Sequence, residues 1–153
     1  VASRLFQNIR EKNGLCYSIY SFQSSFLDSG LLAIAAAVNK ETEIRTLSLI
    51  GEELRKFVQD GVSETELGRA REQAKSSLVM GLESTSSRML KLGNALTAIG
   101  KCMTTDEIIA RYDAVTPEII LDLARNRIDF SKVSLSALGK VSTTDEYMES
   151  LIK

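Results

Sequence analysis

Histidine is absent from this chain of 153 residues, and its absence excludes several kinds of chemistry. A peptidase zinc site commonly uses imidazole ligands, and a Ser-His or Cys-His nucleophile pair needs a histidine base. Carboxylates and thiolates can also bind zinc, but the sequence contains no clustered set of these residues. We therefore expect that the chain by itself neither binds a catalytic metal nor hydrolyses a bond.

Cysteines and long apolar runs are also scarce. Cys16 and Cys102 are too few for a disulfide framework or a Cys-x-x-Cys site, and although a bridge between them stays open, we expect a reduced, cytoplasmic protein. No apolar run approaches the roughly 18 residues that a membrane span requires. The 19 basic and 20 acidic residues leave a net charge of −1. We therefore expect neither a membrane nor a nucleic acid as a partner.

The residues that are present are typical of a soluble globular protein. The apolar fraction of 44% and the charged fraction of 25% suit a packed core with a solvated surface. A chain of this length can bury such a core, so we expect a single domain over residues 1–153. Because Val1 leads almost directly into a helical pattern, without an initiator methionine, we also expect a piece of a longer polypeptide.

The segment from residue 3 to residue 20 is the most informative, because it joins a helix directly to a strand. Ser3 can cap a helix that reaches about Lys12. Gly14 suits the left-handed backbone conformation that commonly ends such a helix. The sequence therefore predicts a sharp corner between a first helix and a first strand.

Alternation of apolar and polar residues predicts the strand that follows this corner. Strict alternation places Tyr17 and Ile19 on one face and Cys16 on the other, and we interpret Tyr20 as a packing residue. Tyr17 stands seven positions after Arg10, which lies on the last helical turn. Arg10 and Tyr17 are the candidate functional residues of the chain.

The pattern in the rest of the chain predicts a second strand that forms a hairpin with the first, followed by a series of helices. A turn at residues 28–30 precedes a second strand over Leu31–Val38, whose nearly continuous apolar character predicts coverage on both faces. Helical spacing follows over about 39–59, 63–82, 89–99, 106–114 and 117–124, with Thr105 as one expected cap. A third strand is predicted over Lys132–Leu138. This order predicts an α+β fold in which several helices cover one face of an antiparallel sheet.

The opening segment resembles a motif of a known family. Residues 3–21 read SRLFQNIREKNGLCYSIYS, which is similar to the SRLFxxxRExxGLxYSxxS pattern in the C-terminal half of insulinase-like (pitrilysin-type) zinc peptidases. This family includes the mitochondrial processing peptidase and many bacterial homologues. Weaker similarities follow in collinear order at residues 28–30, 61–67, 82–88, 115–118 and 137–139. The resemblance covers nearly the whole chain, and its first motif is the most specific.

The resemblance implies half of a divided active site. In this family two homologous halves enclose a chamber, and the N-terminal half binds zinc through an inverted H-x-x-E-H motif and a downstream glutamate. The C-terminal half binds no metal and contributes an arginine and a tyrosine to substrate binding. Their counterparts here are Arg10 and Tyr17. The resemblance thus implies the substrate-binding half of a zinc endopeptidase, without its first strands, with an extended peptide as substrate.

The sequence is compatible with three interpretations of the function. In the first, Arg10 and Tyr17 bind peptide beside a zinc-bearing half on the same polypeptide or on a partner subunit. In the second, the chain is a non-catalytic paralogue with a structural or partner-binding role. In the third, it is a generic helix-covered sheet domain, where Arg10 pairs with a carboxylate such as Glu11 and Tyr17 points into water. The sequence also leaves open whether the chain forms homo-oligomers.

Overall fold

The computed structural model describes residues 3–152, which form a two-stranded antiparallel sheet and a series of helices. The elements are a π-helix Phe6–Glu11, β1 Cys16–Ser25, β2 Gly30–Val38, α1 Glu43–Asp60, α2 Glu64–Gly81, α3 Thr85–Ile99, α4 Thr105–Asp113, α5 Pro117–Arg127, a 3-10 helix Phe130–Lys132 and α6 Thr144–Ile152. The predicted α+β class is confirmed.

Local signals in the sequence produce several of the predicted helix ends. The Ser3 hydroxyl accepts a hydrogen bond from the Phe6 amide at 3.3 Å, and the Ser63 hydroxyl accepts one from the Glu66 amide at 3.2 Å. Both bonds satisfy an amide that has no partner within its helix. Gly14 ends the first helix with a φ of 62°, in the left-handed region.

The start of α4 differs by one residue from the prediction. Thr104, and not Thr105, is the cap, because its hydroxyl accepts from the Glu107 amide at 3.2 Å. The Glu107 carboxylate in turn accepts from the Thr104 amide at 2.6 Å. This reciprocal pair of hydrogen bonds fixes the helix start at Thr104, since a cap at the next residue would lose both.

The predicted hairpin of β1 and β2 forms, with one irregularity far from its turn. Cys16 and Ser18 pair with consecutive residues of β2, so Tyr17 is an extra residue in a β-bulge. The bulge breaks the alternation, and Cys16 and Ile19 are both buried in the same core. The predicted placement of Cys16 opposite Ile19 was therefore wrong, because an inserted residue changes the face on which the preceding residues lie.

One face of this hairpin packs on the π-helix and on α1. Ile9 is completely buried, and Cys16, Ile19 and Ile50 surround it. Partly buried residues that pack against this cluster are Leu5, Leu15, Ile34, Leu49 and Leu54. The core therefore fixes the position of the corner between the π-helix and β1.

The C-terminal helix α6 packs closely on α1. A Cβ atom at Gly51 would overlap the carbonyl oxygen of Leu151, so only glycine permits this approach. The Arg55 guanidinium donates to the same carbonyl at 2.9 Å. This bond satisfies one of the carbonyl groups that a helix leaves free at its C-terminus.

Two strand predictions were wrong. Residues 132–138 form no strand, because a strand needs a neighbour for its backbone groups and these residues have none within the described part of the chain. A groove separates residues 135–141 from β2. The coverage predicted for both faces of β2 is also absent, since no residue of β2 is fully buried.

The described residues group into two compact units. The first contains the residues up to Asp60 and those from Ala124 onward, and the second contains residues 61–123. Within the second unit α2 packs on α4, where the Lys75 ammonium lies 2.6 Å from the carboxylate of Asp113. None of the helices within residues 3–152 is long and apolar enough to cross a membrane.

Candidate functional site

Arg10 lies in the last turn of the π-helix, with its side chain exposed. Its guanidinium carbon stands 4.8 Å from the ring centroid of Phe6, a cation–π contact. Its carbonyl oxygen accepts the Gly14 amide at 2.9 Å. Short π-helical segments frequently occur at functional sites. The backbone of Arg10 is therefore fixed by the turn, while its side chain is held at the surface by an aromatic ring.

Arg10 has no carboxylate partner among the described residues. The alternative pairing with Glu11 does not form, and no other ion pair within residues 3–152 involves this guanidinium. Arginine presents N–H donors in a planar fork that fits a carboxylate or a peptide carbonyl. Those donors remain available to an acceptor from another molecule.

Tyr17 is the inserted residue of the β-bulge, and its side chain is 85% exposed. Its hydroxyl group makes no hydrogen bond with another residue of the described chain. Bulges are found beside active sites, where they change the direction of a side chain. The bulge therefore presents a phenol group to the exterior from a rigid strand.

The π-helix packs against β1, which brings the two candidate residues to one corner of the fold. The Leu15 amide donates to the Ile9 carbonyl at 3.2 Å and closes the turn between the two elements. Burial raises the pKa of the Cys16 thiol, and the positive charge of Arg10 partly opposes that rise. Arg10 therefore lies close enough to the start of β1 to act electrostatically on the residue before Tyr17.

Two aromatic residues near this corner are exposed, although the sequence did not predict them to lie on the surface. Tyr20, interpreted from the sequence as a packing residue, is exposed, and so is Phe22. Their ring centroids lie 6.1 Å apart. Their separation by two positions in a strand could have predicted this pair, because that spacing places both rings on one face of the sheet. Nothing in the sequence indicated that this face would be left uncovered.

Away from this corner, a cluster of polar side chains joins the start of α1 to the C-terminal segment of the first unit. Glu43 accepts from the Lys40 ammonium at 2.5 Å and from the Tyr147 hydroxyl at 2.9 Å, and Ser142 also donates to it. The hydrogen bond from Lys40, more than those from Ser142 and Tyr147, lowers the pKa of Glu43 to about 2. The same contact raises the pKa of Lys40. Lys40 is therefore a protonated partner and cannot act as a base toward Ser142.

Side chains that could bind a metal do not converge in the described part of the chain. Within residues 3–152 no three histidine, cysteine, aspartate or glutamate residues lie together in a way that would hold a metal ion. The Glu43 cluster contains one carboxylate, and its oxygens already accept hydrogen bonds from within the chain. The residues present therefore do not fit a zinc ion.

Comparison with known sequences places this corner in a recognised family. The family described as "Peptidase M16 inactive domain" matches residues 1–74, which include Arg10 and Tyr17. An uncharacterised zinc protease of Streptomyces coelicolor is 37% identical over 139 residues, covering 91% of this chain and 30% of that protein. One from Bacillus subtilis is 38% identical over 143 residues, covering 92% and 35%. The chain thus spans about a third of the length of these relatives.

Solved structures share the fold. A conserved protein from Enterococcus faecalis aligns with a TM-score of 0.68 and 26% identity, over 80% of this chain and 28% of that one. A peptidase M16 inactive domain from Pseudomonas fluorescens aligns with a TM-score of 0.67 and 20% identity, over 83% of this chain and 30% of that one. The second likeness supports the fold alone, because its sequence identity is low.

Proposed function

This chain belongs to the insulinase-like (M16) zinc peptidases as a domain of the inactive type, and we propose that it is the substrate-binding half of a zinc-dependent endopeptidase. The zinc-bearing half and the first strands of this half lie outside residues 1–153 in this proposal. The two halves enclose an extended peptide, and this chain alone cleaves nothing. The zinc-bearing half is part of the same polypeptide or of a partner subunit.

The observation that carries this proposal is the exposure of Arg10 and Tyr17 at one corner of the fold, within the segment that matches the family. Neither side chain is engaged by a carboxylate or by a hydrogen-bond partner within the described residues. Both stand on elements that pack against the core, so their backbone positions are fixed before a substrate arrives. Such a pair suits recognition of a ligand that brings its own acceptors.

The chemistry of the two groups suits a peptide. Arg10 donates its guanidinium N–H groups to a carbonyl oxygen or a carboxylate of the substrate. Tyr17 donates its hydroxyl proton to the carbonyl oxygen of the cleaved bond, where negative charge develops during the reaction. The Tyr17 interaction becomes stronger as that charge forms, so it favours the transition state over bound substrate. In this proposal the other half holds the zinc, and no donor set within the described residues fits it.

The experiment uses the complete enzyme, in which this chain is combined with its zinc-bearing half. We expect Arg10→Ala to lower kcat/KM for a peptide substrate by about 10- to 100-fold, the effect of losing a hydrogen bond from a charged group. The zinc content should stay unchanged. Lys12→Ala is the matched control, because it removes an exposed positive charge from the same corner and should keep normal turnover.

Normal turnover in both Arg10→Ala and Tyr17→Phe would contradict the substrate-binding role. That result would favour the second reading, in which the chain completes a chamber or a complex without contacting the peptide. A loss of zinc along with activity would also contradict the proposal, since it would place Arg10 or Tyr17 in support of the metal site.

A further inference from the structure

Phe6 provides the contact that holds the Arg10 side chain. The guanidinium carbon of Arg10 stands 4.8 Å from the centroid of the Phe6 ring. The negative face of an aromatic ring attracts a positive charge at this distance. The guanidinium makes no hydrogen bond and no ion pair within residues 3–152. In the described part of the chain, the ring is therefore what orients this side chain.

A second arginine shows how this contact differs from a structural one. The Arg55 guanidinium stands 5.6 Å from the ring of Phe130, but it also donates to the carbonyl oxygen of Leu151 at 2.9 Å. That hydrogen bond engages a donor of Arg55 in closing the end of α6. Arg10 lies closer to its ring, and its donors stay unengaged within residues 3–152. Arg10 is thus held in place without being used by the fold.

The core fixes the backbone that carries this pair. Leu5 and Ile9 directly precede Phe6 and Arg10 along the chain. Ile9 is completely buried, and Leu5 packs against the same core cluster. The first helix therefore cannot turn about its axis without disrupting the core, and Phe6 and Arg10 keep their relative positions. The freedom that remains is that of the long Arg10 side chain, which has several rotatable bonds.

The contact with Phe6 does not compete with binding of a ligand. Arginine can rest the face of its planar guanidinium on a ring while its N–H donors point outward within that plane. A carbonyl oxygen or a carboxylate then approaches those donors along the edge of the group. Phe6 can therefore orient Arg10 and leave it able to bind an acceptor.

We propose that Phe6 is a positioning residue, which orients the Arg10 guanidinium toward the bound peptide. The inference rests on the proposed function, because Phe6 has this role only if Arg10 contacts the substrate. Without the ring, the Arg10 side chain would lose its rotamer freedom when peptide binds, and that loss of entropy would weaken the interaction. The ring restricts the side chain before the substrate arrives, so the donors are already in place.

Substitutions in the complete enzyme test this role. We expect Phe6→Leu to lower kcat/KM for a peptide substrate by about two- to fivefold, the effect of losing one exposed cation–π contact. Phe6→Trp restores an aromatic face and should recover most of that loss. Phe130→Leu is the matched control, because it removes a ring from Arg55 and should leave kcat/KM unchanged.

A double substitution separates positioning from a structural role of Phe6. In the Arg10→Ala background no guanidinium remains to be oriented, so adding Phe6→Leu should cause no further loss of kcat/KM. A structural role, or direct contact of the ring with the peptide, would lower kcat/KM in both backgrounds. A further loss in the Arg10→Ala background would therefore overturn the proposal.

A fluorinated phenylalanine in place of Phe6 gives a second measurement, which does not depend on packing. Fluorine atoms draw electron density from the ring, so the side chain nearly keeps its shape while its face loses negative potential. We expect kcat/KM to fall toward the value for Phe6→Leu, with the melting temperature nearly unchanged. Full activity of the fluorinated enzyme would overturn the proposal, because the charge of Arg10 would then not be what the ring holds.

The outcomes also separate this inference from the proposed function. Normal turnover in Phe6→Leu, together with a loss in Arg10→Ala, would overturn the role of Phe6 and leave that of Arg10 intact. Normal turnover in Arg10→Ala would overturn both, since Phe6 would then have no substrate contact to position.

Discussion

Cys16 and Ile19 are buried in the same core although three positions separate them along β1. Strict alternation would put them on opposite faces of the strand, and the bulge at Tyr17 removes that conflict. The same bulge leaves Tyr17 without a partner in the ladder and exposes its side chain. The burial of Cys16 and the exposure of Tyr17 are thus two consequences of one inserted residue.

The reactivity of the two cysteines tests this arrangement. Burial raises the pKa of Cys16, so little thiolate forms at about pH 8, whereas Cys102 is exposed. We expect iodoacetamide to modify Cys102 at least about tenfold faster than Cys16, as read by peptide mass spectrometry. Arg10→Ala should slow Cys16 further, because it removes the charge that lowers the thiol pKa. Equal modification rates of the two cysteines in the folded chain would contradict the burial of Cys16. In denaturant, where burial is lost, we expect the two rates to be equal.

Gly14 and Gly93 should respond to alanine with opposite signs. Gly14 has a φ of 62°, so Gly14→Ala should lower the free energy of unfolding by about 1–2 kcal/mol through backbone strain. Gly93 lies on an exposed face of α3, so Gly93→Ala should raise it by about 0.5–1 kcal/mol. A Cβ atom meets nothing within 4 Å at either position, which excludes a clash as the cause. Urea denaturation measures both changes, and a stabilising Gly14→Ala would contradict the left-handed corner.

The cluster around Glu43 should make stability depend on pH in the acid range. The pKa of Glu43 is about 2 in the folded chain and 4.5 ordinarily, so its contribution is complete above pH 4.5 and is lost as the pH falls toward 2. We expect Glu43→Gln to be less stable than the unmodified chain at neutral pH, with a difference that narrows through this range. Urea denaturation at several pH values measures that difference.

Glu52→Gln is the control for this prediction. Glu52 is partly exposed on the same helix and lies 3.8 Å from Arg45, a weak surface pair. Its replacement should change the free energy of unfolding little at any pH in this range. A Glu43→Gln effect that stays constant from neutral pH to pH 2 would show that the carboxylate charge is not what the cluster stabilises.

The sequence predicted those features that depend on a few adjacent residues. Ser3, Gly14 and the alternation of β1 act within one or two turns of chain, so the corner and its two candidate residues were predictable. The bulge depends on how Cys16 packs against Ile50 of α1, which is distant along the chain. Residues 132–138 show the same limit, because their alternation is real but a strand also requires a partner, and none adjoins them in the described chain.

The most direct test of the proposed role of Tyr17 is the substitution Tyr17→Phe in the complete enzyme, because it removes only the hydroxyl oxygen. If the Tyr17 hydroxyl donates to the peptide carbonyl, kcat should fall by about 100- to 1,000-fold, the usual effect of losing one such donor. The zinc content should not change, and Tyr20→Phe, another exposed tyrosine of β1, should keep normal turnover. Unchanged kcat and KM for Tyr17→Phe would contradict the assignment of Tyr17 to the substrate.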